Sequence, residues 1–210
     1  MSLDCTGETL PFVQTIDTEP SQHLDSFCLT LEFDDEVLLY ETLTSGTYYW
    51  VIFKSDEALL SVCELEKYAD FLSNNDEWVG RRSDYLIIGS YYGDCYLVVV
   101  EMRHVLVKTE QEDDKFEQLK STIETLILHQ LDAIRDSNAL SRVYDQPDYF
   151  KIIGAVIAPG NTRRFARGQL NPIVDIAGHK VAIRTLPKDA LSDCKITWTE
   201  FLRRMGVPVN

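Results

Sequence analysis

The stretch Leu97-Val98-Val99-Val100-Glu101-Met102-Arg103-His104 constrains the fold more than any other. Side chains alternate along a strand, so Leu97, Val99, Glu101 and Arg103 share one face, and Tyr96, Val98, Val100, Met102 and His104 share the other. Both faces are apolar up to Val100, the pattern of a strand covered on both sides. Such a strand demands a layered core. Charges on it are expected only where it reaches an opening or meets a partner.

The preceding run, "DYLIIGS" at 84–90, is a second strand, joined to the first by "YYGD". If the turn is Tyr92-Gly93, Asp84 lies opposite Glu101; if it is Gly93-Asp94, Asp84 lies opposite Arg103. Gly93-Asp94 is a recognised hairpin dipeptide. In either register Asp84 shares a face with Glu101 and Arg103, and directly opposed side chains have Cβ atoms about 4.5–5.5 Å apart. Two carboxylates and a guanidinium therefore converge at one end of a buried hairpin. Carboxylates this close repel unless a cation joins them. A divalent ion with oxygen ligands, Mg²⁺ above all, suits such a pair. It would polarise a phosphoryl oxygen and acidify a bound water. The plainer alternative is an ion-pair cluster closed by Arg103 that catalyses nothing.

The rest of the chain reads as mixed elements. Residues 1–25 are polar and lack a sustained period, so they are expected to be irregular. Strand-like runs at 27–33, 36–43 and 47–53, with turns at Asp34-Asp35 and Ser45-Gly46, predict an N-terminal β-meander. Ser55 offers a cap to a helix over 56–72, its stripe formed by Leu59, Leu60, Cys63, Tyr68, Phe71 and Leu72. Thr109 and Glu112 form a capping box. The helix it opens runs to about Arg135, with Phe116, Leu119, Ile123, Leu126, Ile127, Leu131 and Ile134 facing the core. Strands follow at 150–158 and 179–186, then a short helix at 198–206. This order predicts an α/β layer with a central sheet and helices against it, as one domain over 26–210.

The chain has 210 residues and a net charge of -14, unevenly spread. Residues 1–150 carry 30 acidic and 10 basic side chains, whereas residues 151–210 carry 4 acidic and 10 basic. A uniformly acidic chain binds nucleic acid poorly. The basic last third leaves DNA or RNA open as partners, or serves solubility alone. The five cysteines form no CxxC pair, so they are expected to be reduced and mostly buried. The start, "MSLDCTGETLPF", lacks the basic and apolar segments of a signal peptide, and no apolar run is long enough to span a bilayer. A cytoplasmic protein, away from membranes, is the expectation.

"RRSDYLIIG", then a short turn, then "YLVVVEMRH", then a helix with "FEQLKSTIETL", resembles the PD-(D/E)XK nuclease superfamily over a core of about 56–160. The resemblance implies the restriction-endonuclease-like fold, a mixed central sheet flanked by helices. It also implies a metal-dependent phosphodiester hydrolase using Mg²⁺ or Mn²⁺, and a homodimer by family analogy. Asp84 and Glu101 match the two metal-binding acids. Glu64 matches the helix acid that sometimes completes the site, with Glu57 and Glu66 as competitors, and Gln118 matches a polar position on the following helix. Arg103 falls where the family has lysine. Arginine stays protonated, so it would steady a phosphate but not act as a base. The alternative within the fold is a non-catalytic binding module.

Further basic groups are candidates for nucleic-acid backbone. "GNTRRFARG" at 160–168 places Arg163, Arg164 and Arg167 between glycines, as a phosphate-contacting loop or a solvated surface loop. Arg81 and Arg82 flank the same opening as Asp84, or pair with Asp76 and Glu77. The four histidines lack metal-ligand spacing, and no catalytic serine arrangement or phosphate-binding glycine loop is present.

Overall fold

The computed structural model describes residues 5–104, 109–145, 147, 149–159 and 173–208. The arginine loop at 160–168 and the side chains of the capping box at 109–112 lie outside them. In chain order, β1 (Thr6–Gly7), β2 (Cys28–Leu31), β3 (Glu36–Thr42), β4 (Tyr48–Lys54) and β5 (Leu60–Glu64) precede α1 (Leu65–Ser73). β6 (Tyr85–Tyr91) and β7 (Asp94–Met102) come next. α2 (Thr109–Thr125) continues through a π-helical turn (Leu126–Gln130) into α3 (Leu131–Arg135), and α4 (Asn138–Ser141) follows. β8 (Lys151–Ala158), β9 (Ile173–Ile176), β10 (His179–Pro187) and β11 (Lys195–Thr197) lead to α5 (Trp198–Arg204).

Among the described residues, a 7-stranded sheet runs in the order β2-β5-β6-β7-β8-β10-β9. It is mixed: β8 pairs parallel with β7 and with β10, and the other neighbours are antiparallel. A smaller sheet is centred on β4, which pairs with β3 along one side and with β1 and β11 along the other. The α/β class with a large mixed sheet is as expected.

The two apolar faces of β7 explain the layering. Leu97 and Val99, with Leu86 and Ile88 of β6, pack under Tyr68 and Leu72 of α1 and Phe116, Leu119 and Ile123 of α2. Val98, Val100 and Met102 pack instead against Leu39, Val51 and Phe53 of the small sheet and Phe201 of α5. β7 is thus buried on both sides, each large aliphatic contributing about 1.5–3 kcal/mol by leaving water. Gly154 of β8 lets α2 lie close, since a Cβ there would stand 3.3 Å from Ile123 Cδ1. Gly89 is tighter, because its missing Cβ would fall 2.5 Å from the Trp198 indole.

Four expectations are corrected. First, the helix read over 56–72 is strand β5 followed by α1. Leu60 to Glu64 are all buried, so the run shows no alternation, and a short apolar run cannot be told from a helix by period. Second, there is no three-stranded meander: β3 and β4 pair in the small sheet, but β2 joins β5 in the large one. Asp34, at φ 73, turns the chain from one layer to the other. Third, four cysteines are bonded, Cys5 to Cys194 and Cys28 to Cys63, leaving Cys95 free and buried. Linear spacing hides both pairs. Cys28 and Cys63 are direct cross-strand partners, and Cys5 and Cys194 flank β4 through backbone bonds to Trp50 and Ile52. Fourth, the N-terminal segment is not wholly irregular, because β1 pairs with β4. No helix among the described residues is long and apolar enough to cross a membrane.

Candidate functional site

The hairpin turn decides the register. Tyr92 and Gly93 both have positive φ, 46 and 80, as a two-residue turn of this hand requires. Tyr91 pairs with Asp94 and Tyr85 with Val100, so one step further Asp84 lies opposite Glu101. The Asp84 carboxylate accepts a hydrogen bond from the Met102 backbone N–H, which ties it across to β7. Its own carbonyl accepts from Glu66 N (3.3 Å) at the start of α1.

Glu101 is 1% exposed, on the face covered by α2. Its Oε1 accepts from the Lys115 ammonium, which also donates to Gln118 Oε1 (3.2 Å). Gln118 in turn donates through Nε2 to the Arg82 carbonyl. Lys115 and Gln118 stand three residues apart and so share one side of α2. The second oxygen of Glu101, Oε2, is buried with no hydrogen-bond partner.

A third carboxylate comes from the other sheet. Glu41, near the end of β3, also buries Oε2 without a hydrogen-bond partner. Tyr85 bridges the layers there, its hydroxyl donating to the Tyr40 carbonyl (2.8 Å) and accepting from Tyr40 N (3.0 Å). Glu41, Glu64, Glu66 and Asp84 line an opening of about 300 Å³ with Lys67, Tyr40 and Tyr85. Asp84 therefore reaches the opening, and Glu101 lies behind it.

Burial favours the protonated form of the Asp84, Glu101 and Glu41 carboxyls. Burial, and then the negative charge of Glu101, pushes the Asp84 carboxyl well above its ordinary value, against the Met102 N–H. Burial pushes Glu101 up to about 7, with Glu41 adding to the rise, although Lys115 and then the Ser83 hydroxyl pull it down. Burial raises Glu41 too, eased by Lys115 and Arg103.

The predicted site residues thus divide. Asp84 and Glu101 lie opposite each other, as the hairpin allowed, and Gln118, singled out by the resemblance, reaches Glu101 through Lys115. Arg103 does not close on Glu101; Lys115 does. Arg103 lies just past the end of β7, its N–H bonded to Ile157 O (2.9 Å), and its charge acts on Glu41. Glu64 is not a helix acid: it ends β5, precedes α1 and is ion-paired with Lys67. Glu66 sits in the first turn of α1, on the same opening. Arg81 pairs with Asp114 and Arg82 with Asp70, rather than with Asp76 or Glu77. His104 turns away from Glu101, its ring 5.7 Å from that of Tyr49. Lys115 and Glu41 were missed. The signal for Lys115 was its i,i+3 spacing from Gln118; nothing in the sequence joins Glu41 to the hairpin.

The donor set suits a hard divalent cation: adjacent carboxylates, with orphaned oxygens on Glu41 and Glu101. As the side chains stand, no group of three His, Cys, Asp or Glu among the described residues is close enough to grip one. Comparisons with protein-family models, curated proteins and solved structures returned no significant match. Fold and site define a mixed α/β protein with a buried, lysine-bridged carboxylate cluster at one end of its large sheet.

Proposed function

We propose that this chain is a divalent-metal-dependent hydrolase of nucleic-acid phosphodiesters, built on a restriction-endonuclease-like core. The observation that carries the reading is the orphaned Oε2 of Glu101 beside Asp84. A buried carboxylate oxygen without a partner is costly, and a proton or a metal ion relieves it. The hairpin, the helix after it and the mixed sheet agree with the resemblance seen in the sequence.

Asp84 and Glu101 would hold Mg²⁺ or Mn²⁺, with Glu41 and Glu66 beside them. The bound ion supplies Lewis-acid polarisation of a phosphoryl oxygen and an acidified water. Lys115 neutralises Glu101 and is a compact ammonium able to exchange a proton, the property Arg103 lacks. Arg103 presents a fixed positive charge for the phosphate. The opening beside Asp84 admits the phosphodiester.

The test is cleavage of end-labelled DNA and RNA oligonucleotides, single- and double-stranded, with Mg²⁺ or Mn²⁺. Cleavage abolished in both Asp84→Asn and Glu101→Gln supports the reading, and cleavage persisting in both ends it. The Lys115–Glu101 ion pair favours a second reading, a non-catalytic binding module of the same fold whose cluster is closed by lysine. That reading expects no cleavage and no response to metal.

A further inference from the structure

A second cleft lies over β7, β8 and β10 of the large sheet. It is lined by Tyr96, Tyr149, Lys151, Lys180, Arg184 and Met205, among others, and encloses about 480 Å³. Tyr96, paired with Lys151, lies five residues before Glu101 on β7, roughly 17 Å along the strand from the acidic cluster, whereas Arg184 is level with Val100 through Ala155, two strands away on β10. Three other openings are rimmed by carboxylates: Glu41, Glu64, Glu66 and Asp84 in one, Asp189, Asp193 and Glu200 in another, Asp76 and Glu77 in a third. No described lining residue of this cleft is acidic, in a chain of net charge -14.

Its cations differ in their commitments. Lys151 is bonded to Asp94 and lies 5.7 Å from the Tyr96 ring centre. Lys180 stands across from Asp175 on β9, whose Oδ1 accepts from Gly178 N (3.0 Å). Among the described residues Arg184 makes no ion pair and donates only to the Ile183 carbonyl (3.3 Å). It is partly buried against Gly206, and burial lowers its pKa. A partly desolvated guanidinium without a counter-charge favours an anion that fits its planar fork. Tyr149, 59% exposed, and Ile173, 67% exposed, supply apolar surface in the same cleft, over the buried Tyr96.

We propose that this cleft binds an oxyanion carried on a flat ring, the phosphate of a nucleotide, with Arg184 gripping the phosphate and the exposed ring of Tyr149 flanking the base. A free mononucleotide and the phosphorylated end of a nucleic-acid strand share this chemistry. The proposal does not depend on the acidic cluster being catalytic.

Calorimetric titration of the full chain tests it, with AMP, adenosine, inorganic phosphate and a 5′-phosphorylated single-stranded oligonucleotide as probes. AMP is expected to bind saturably, and adenosine and phosphate at least about tenfold more weakly. Arg184→Gln should weaken AMP by about tenfold or more and Lys180→Gln by less, whereas Lys120→Gln, on an exposed cation of α2, should change nothing. Thermal melting verifies that each variant is folded; should Arg184→Gln not fold, Arg184→Lys, which keeps the charge but not the fork, takes its place with the same loss expected. Tighter binding of the oligonucleotide than of AMP assigns the cleft to strand ends, and equal or weaker binding assigns it to free nucleotides. No saturable AMP heat, equal binding of adenosine, or unchanged affinity in the folded Arg184 variant overturns the proposal.

Discussion

Lys115, carried on α2, closes its ammonium on Oε1 of Glu101 at the buried end of β7. The pair leaves Oε2 of Glu101 without a hydrogen bond, with Asp84 opposite it across the hairpin and its carboxyl raised by the Glu101 charge. Lysine therefore compensates half of a carboxylate, and the other half remains available to a proton or a metal ion.

Removing that lysine exposes what it does. Lys115→Met should destabilise the fold by about 3–5 kcal/mol at mildly alkaline pH, because a buried charge loses its partner. In mildly acidic solution the loss should shrink to below about 2 kcal/mol, because Glu101 takes up a proton instead. Urea unfolding at the two pH values measures both. An equal loss at each would mean that Glu101 is not the group the lysine neutralises.

The wild-type chain should itself lose stability as pH rises. Glu101 is raised from 4.5 to about 7, so the folded state holds a proton that the unfolded state releases. Its contribution is complete below 4.5 and is lost as pH climbs through about 7, and Asp84 acts in the same direction. The decline should amount to about 1–3 kcal/mol, and Glu101→Gln should flatten it. A wild-type curve that rises over this window would contradict the assignment.

Reduction should weaken the fold strongly. Cys5–Cys194 closes a span of 189 residues and Cys28–Cys63 one of 35. Chain entropy alone puts these at about 5 and about 4 kcal/mol. Thermal melting with and without a reductant, with thiol counting by mass spectrometry, reads the effect. Five free thiols in the native protein, with no shift on reduction, would exclude the pairing.

Much of the site was legible because β7 and β6 are adjacent in sequence. Alternation placed Asp84 and Glu101 on one face, and only the turn was open until Tyr92 and Gly93 showed their positive φ. Lys115 was less legible, since which side of α2 meets the hairpin is decided by tertiary packing. Glu41 was illegible: β3 reaches the site through the second sheet, and no local pattern reports how two sheets stack. The same limit hid β2's pairing with β5 and both disulfides. β5 was misread because a strand buried on both faces has no alternation to read.

The contact between the sheet and α5 offers an independent check on the layering. Trp198 lies on Gly89 and donates from Nε1 to the Ser90 carbonyl (2.9 Å). Gly89→Ala should overpack this contact and cost about 1–3 kcal/mol, with a shift in tryptophan fluorescence. A neutral effect would mean that α5 does not cover β6 as described.

The central claim is that Asp84 and Glu101 form a metal site, and thermal unfolding against Mg²⁺ or Mn²⁺ concentration tests it most directly. Saturable stabilisation is predicted, about 2.7 kcal/mol at a hundredfold excess over the dissociation constant, or several degrees in a chain of this size. It should vanish in Asp84→Asn. A flat response in the wild type, or the same rise in the variant, would contradict the account and leave a lysine-closed cluster that only holds the sheet together.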